Sequence, residues 1–101
     1  METVTVSELD AGRTIPVAPG QHVVLRLPEN PTTGYRWSVP VGVEIVADTY
    51  EAGGTQAGAG GRRVLTLVAP PAAVRAELRL QRPRGGDAAQ TFTVMLVPRA
   101  E

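Results

Sequence analysis

The sequence predicts an all-β fold: an antiparallel sandwich of seven or eight short strands in a single domain, residues 1–101. Three observations predict it. Apolar residues recur at every second position along most of the chain, the period of a half-buried strand. Turn residues punctuate the pattern about every ten positions, as in sandwiches and barrels. No stretch repeats at the three-and-four spacing of an amphipathic helix.

Each element follows in order. Val4 and Val6 alternate with Thr3, Thr5 and Ser7. Ile15 and Val17 come after Gly12 and run into a Pro19-Gly20 turn. Val23, Leu25 and Leu27 alternate with His22, Val24 and Arg26. Tyr35, Trp37 and Val39 mark the next strand, which Pro40 ends, and residues 43–50 form another. Glu51 to Gly61 contains five glycines and reads as a loop. Val64 to Val68 is a short apolar run stopped by Pro70-Pro71. Val74, Ala76, Leu78 and Leu80 alternate with Arg75, Glu77, Arg79 and Gln81; the alanines would suit a helix, but the period of two excludes one. Arg82 to Ala88 is a loop, and Phe92, Val94 and Leu96 form the last strand, closed by Pro98. Trp37, just after the first major loop, occupies the place of the buried tryptophan in an Ig-like core. The fold class is therefore an Ig-like antiparallel β-sandwich, with Tyr35 expected in the core on the same face as Trp37.

Composition excludes several functions. Zero formal net charge removes the bulk electrostatic case for nucleic acid or an anionic membrane as partner. The absence of cysteine excludes a disulfide framework, a thiolate metal site and a cysteine nucleophile. All ten basic residues are arginine, so no phosphate-loop lysine exists for the glycine-rich stretch. His22, the single histidine, falls on the outer face of a strand, which leaves neither a zinc site nor a general base. Ser7 and Ser38 have no histidine nearby in sequence, so no enzyme, cofactor or metal is expected. No apolar run is long enough to span a membrane. Met1 to Val6 does not read as a signal peptide, so a cytoplasmic location is the expectation unless a targeting segment has been removed.

The stretch from Asn30 to Trp37 is the most distinctive. Asn30 precedes a proline and is pushed toward extended backbone. Pro31 fixes its own φ. Thr32 and Thr33 are stiff at χ1, so their hydroxyls take few directions. Gly34 permits the positive φ that turns the chain back into a strand. Such a turn is built for presentation.

Asn30-Pro31-Thr32-Thr33-Gly34, followed by Tyr35 and Trp37, resembles the signature of the chagasin-like (I42 type) inhibitors of papain-family cysteine peptidases. Two later segments extend the resemblance over most of the chain. Gly58-Ala59-Gly60-Gly61 is similar to that family's glycine-rich second loop, and Arg82-Pro83-Arg84 to its third. The third departs from the family at Arg84, where a tryptophan is usual; an interface tryptophan is typically an anchor worth about 2 kcal/mol. The resemblance implies a monomeric inhibitor whose three loops leave one end of the sandwich and occlude a peptidase cleft reversibly and without covalent bonds. Thr32 and Thr33 would offer hydroxyls to the catalytic centre, while Asn30, Pro31 and Gly34 set the loop shape. Gly58, Gly60 and Gly61 would allow close backbone approach. Arg82, Pro83 and Arg84 would grip the rim, joined by Arg62 and Arg63. Arg84 leaves open an alternative, a non-inhibitory interaction module with a changed or lost target, and beyond it an adhesive or structural unit of a larger surface protein.

Overall fold

Strand β3 (His22–Glu29) shows how alternation becomes structure. Val23, Leu25 and Leu27 are buried and their neighbours are not, so one face of the strand is committed to the core. The computed structural model describes residues 2–53, 60–82 and 87–99. Its other strands are β1 (Val4–Ser7), β2 (Thr14–Val17), β4 (Arg36–Trp37), β5 (Glu44–Ala52), β6 (Gly61–Val68), β7 (Val74–Gln81) and β8 (Gln90–Pro98). Two 3-10 turns, Glu8–Asp10 and Pro31–Thr33, are the only helical segments among the described residues.

The strands form two four-stranded sheets, β1-β3-β6-β5 and β2-β8-β7-β4. Leu25, Leu65 and Leu67 from one sheet meet Leu78, Val94 and Leu96 from the other, all at most 1% exposed. Trp37 is buried among them. The Ig-like β-sandwich is thus as expected, with packing alone joining the sheets.

Pairing is not antiparallel throughout. β1 runs parallel to β3, and β2 parallel to β8. Both belong to one N-terminal run that changes sheets at the Glu8–Asp10 turn and at Gly12, whose φ is +81°. It keeps its direction while switching partners, so both halves pair parallel at sheet edges. Pro16 sits on such an edge, where its missing N–H breaks no ladder. Pro28 lies past the last β1 partner, Arg26, so it too is tolerated.

Three local expectations are corrected. β4 is only two residues long, so Val39 is exposed and not part of a strand. The loop expected over 51–61 is shorter, because Ala52 and Gly61 pair in β5 and β6. A β-bulge between Ile45 and Ala47 changes the phase of β5. It places Asp48 opposite buried Leu65 and within reach of Arg63, with its own side chain 41% exposed at the sheet edge.

Register also fixes the ends. β3 finishes at Glu29 opposite Gly61, and β5 finishes at Ala52 opposite the same residue. β4 starts at Arg36 opposite Gln81, the last residue of β7. The connections at 30–35, 53–60 and 82–89 therefore leave from one pole.

Candidate functional site

The first connection shapes itself. Asn30 Oδ1 accepts the Thr32 N–H at 3.1 Å and the Thr32 hydroxyl at 2.7 Å. The Thr33 hydroxyl donates to the Asn30 carbonyl at 2.8 Å and accepts the Tyr35 N–H at 3.3 Å. Gly34 ends the turn in the left-handed region at φ +79°, its N–H donating to the Pro31 carbonyl at 3.2 Å. An Asn followed by Pro-Thr-Thr places its side-chain oxygen at the N–H two residues on, an Asx-type cap. Both threonine protons are consumed inside the turn. Its threonines therefore offer acceptor lone pairs outward.

Below the turn lies a clamp. Glu29 Oε1 accepts the Trp37 backbone N–H at 2.8 Å, joining the residue before the turn to the strand after it. The Trp37 indole N–H donates to the Pro28 carbonyl at 2.8 Å. Arg63 points inward and donates to Glu29 at 3.2 Å and to the Trp37 carbonyl at 3.3 Å. It also forks onto Asp48 at 2.5 and 2.7 Å. The Glu29 side chain is 5% exposed and the Arg63 side chain 15%. Buried charges of this kind persist only when paired and hydrogen-bonded. Hydrogen bonding from Arg63 holds the Asp48 carboxyl below the usual carboxylate range.

The second connection lies beside the first. A Cβ added at Gly60 would lie 3.8 Å from Asn30 Cβ. A Cβ at Gly61 would collide with the Glu51 carbonyl and the Tyr50 hydroxyl, so this glycine is demanded by its own chain. Gly58 lies outside the described residues, as do Pro83 and Arg84 of the third connection. Arg82 is described: its guanidinium carbon sits 4.9 Å from the centroid of the Tyr35 ring. Tyr35 is accordingly half-buried at the pole and not a core residue as expected. A cleft of about 800 Å³ unites the three segments, with Pro28, Asn30, Thr33, Tyr35, Gly60 and Leu80 in its walls.

Arg62 and Arg63 do not form the basic rim expected of them. Arg62 forks onto Glu8 at 2.8 and 3.1 Å, which pulls the Glu8 carboxyl below its usual range. Arg63 belongs to the clamp. Sequence reasoning missed Glu29, Arg63 and Asp48. One signal was readable: Glu29 continues the inward series of 23, 25 and 27. The bulge that aims Asp48 had no such signal. The Glu8–Asp10 turn, with Leu9 86% exposed, stands beside this pole and was also unforeseen.

Among the described residues no group of three or more acidic or histidine side chains could hold a metal, and no helix is long and apolar enough to cross a membrane. The fold is similar to that of the cysteine protease inhibitor EhICP2 from Entamoeba histolytica, with a TM-score of 0.83, 22% identity and 96% of each chain covered. Amebosin matches with a TM-score of 0.73 and 29% identity over 98% of this chain and all of that one. Leishmania mexicana ICP matches with a TM-score of 0.54 and 20% identity over 100% of this chain and 91% of that one. No curated protein sequence matches the chain. The model of the chagasin family peptidase inhibitors I42 matches residues 16–96. With so much of its length matched, the chain belongs to the chagasin family, whose members are peptidase inhibitors and not enzymes.

Proposed function

We propose that this protein inhibits papain-type cysteine peptidases reversibly and non-covalently, acting as a single-domain monomer that occludes the active-site cleft with the loops of one pole. One observation carries the reading: the Asn30–Gly34 turn is locked by its own side chains and anchored at its base by the Glu29–Trp37–Arg63 clamp. A stiff plug loses little conformational freedom on docking, which favours tight binding. Pro31 and Gly34 kink the backbone so that it fills a cleft without presenting a carbonyl in attack geometry. In this reading Thr32 and Thr33 sit at the catalytic centre and accept hydrogen bonds there. Gly58, Gly60 and Gly61 bring the second loop's backbone close, and Arg82, Pro83 and Arg84 engage the rim.

A second reading, an interaction module without inhibitory activity, is favoured by one residue, Arg84 in place of the family's tryptophan. Titrating papain with the protein and following a fluorogenic substrate separates the two. Inhibition below about 1 μM that reverses on dilution supports the first reading. Full activity at saturating protein supports the second.

A further inference from the structure

We infer that Leu9 is a fourth point of contact with the peptidase, docking on an apolar patch of the wall beside the active-site cleft; this rests on the function proposed above. Leu9 tips the Glu8–Asp10 turn and is 86% exposed. A lone apolar side chain in water is ordinary; the build and place of this turn are not. The Ser7 N–H donates to Asp10 Oδ2 at 3.0 Å, and Ser7 Oγ accepts the Leu9 N–H at 3.3 Å, a reciprocal cap. The Arg13 N–H donates to the Asp10 carbonyl at 3.0 Å, and the Gly12 N–H to the Thr93 carbonyl at 2.7 Å, which pins the exit of the turn to β8. Leu9 is thus held outward by a backbone that is already ordered.

The turn is also tied to the loop pole. Arg62, the residue after Gly61, forks onto Glu8. Glu8 and Ala11 share a hollow with Pro28 and Gln90, which lie at the bases of the first and third connections. Ser7 pairs with Arg26, and β3 ends at Glu29, so the turn stands at the shoulder of the wedge, within roughly 10 Å of the strand end. Val41 is as open, at 89%, but a Cβ on its neighbour Gly42 would lie 3.5 Å from Val74, at the start of β7 and away from the loops. Once the loops fill the cleft, the shoulder meets the cleft wall and the far end does not. Burying a side chain on an ordered turn costs little conformational freedom. Only an apolar wall rewards it, because a charged one loses hydration without gaining a partner. Leu9 therefore enters as a specificity-determining residue outside the three loop motifs, favouring peptidases whose wall is apolar at that point.

The test measures inhibition constants against papain for the unaltered protein, Leu9→Ala, Leu9→Asp, Leu9→Met and, as a control at the far end, Val41→Asp. Leu9→Ala should weaken inhibition about ten-fold, and Leu9→Asp should weaken it further. Leu9→Met keeps an apolar side chain of similar volume and should inhibit nearly as the parent does, and Val41→Asp should match the parent. Denaturation midpoints should stay together, because both positions are exposed. The chain has no cysteine, so Leu9→Cys takes a single polarity-sensitive dye, attached before papain is added. Its emission should shift to the blue on binding, and the same dye on Val41→Cys should not respond. Inhibition by Leu9→Ala equal to that of the parent, or a silent dye at position 9 while papain is inhibited, would overturn the contact and leave the inhibitor reading intact. Failure of the unaltered protein to inhibit papain would overturn the inhibitor reading and this inference with it.

Discussion

Strand β3 is bracketed by two buried polar residues, Gln21 before it and Glu29 at its end, and no other polar residue among those described is buried. They close opposite poles of the same core by different means. Gln21 works with backbone alone: its Oε1 accepts the Ala18 N–H at 2.9 Å and its Nε2 donates to the Glu2 carbonyl at 2.5 Å. Glu29 is charged, reaches into the other sheet at Trp37, and requires Arg63 and, through it, Asp48. A neutral amide suffices where a turn need only be closed. A charged, sheet-spanning network stands where a loop must be held in one posture. On the proposed function, the Glu29 pole is organised for presentation and the Gln21 pole for stability alone.

Breaking each closure sharpens that contrast. The largest effect is expected from Glu29→Ala, which strands inward-facing Arg63 and removes the acceptor of the Trp37 N–H. Loss of one partner of a buried ion pair costs about 3 kcal/mol, read as a lower denaturation midpoint. Peptidase inhibition should weaken beyond what the unfolded fraction explains. Gln21→Ala should lose about 2 kcal/mol by removing both side-chain hydrogen bonds to the Ala18 N–H and the Glu2 carbonyl. Its inhibition constant should stay that of the parent, since the lesion is at the far pole. An equal loss of inhibition in both variants would erase the distinction drawn here.

Gly34→Ala comes next. The site has open space around a Cβ, so only the positive φ opposes the change. The expected destabilisation is about 1 kcal/mol, with a loss of inhibition larger than that of stability, because the turn itself is deformed. Comparing denaturation midpoints with inhibition constants checks the ratio.

The smallest effect is electrostatic. Asp48 and Glu8 have folded-state pKa values lowered by their arginine partners. Their stabilisation is present above the ordinary carboxylate pKa of about 4. It is lost as pH falls below that value through the lowered ones. Melting temperature should therefore drop on that acid limb, and Asp48→Asn should flatten the limb. Unchanged acid sensitivity in that variant would remove Asp48 from the clamp's energetics.

Legibility in the sequence followed locality. The strands at 22–29, 74–81 and 90–98 were readable because alternation is a property of neighbours. The Asn30–Gly34 turn was readable because its hydrogen bonds span at most three residues. What failed depended on distant partners. The parallel pairing of β1 and β2 follows from a sheet switch that alternation does not encode. Arg63 looked like a solvent-facing loop residue, yet opposite Leu27 it faces inward. Its acidic partners lie 15 and 34 residues away in sequence. Tyr35 shares the period of Trp37, but β4 begins only at Arg36, so the ring is left at the pole under Arg82.

The central claim is that this pole fills a cysteine peptidase's cleft. Binding should therefore be measured calorimetrically to papain and to papain whose cleft is already occupied by a covalently attached peptidyl inhibitor. The account predicts tight binding to the free enzyme and none to the blocked one. Equal affinity for both would mean that the loops dock elsewhere, and the plug would be the wrong picture.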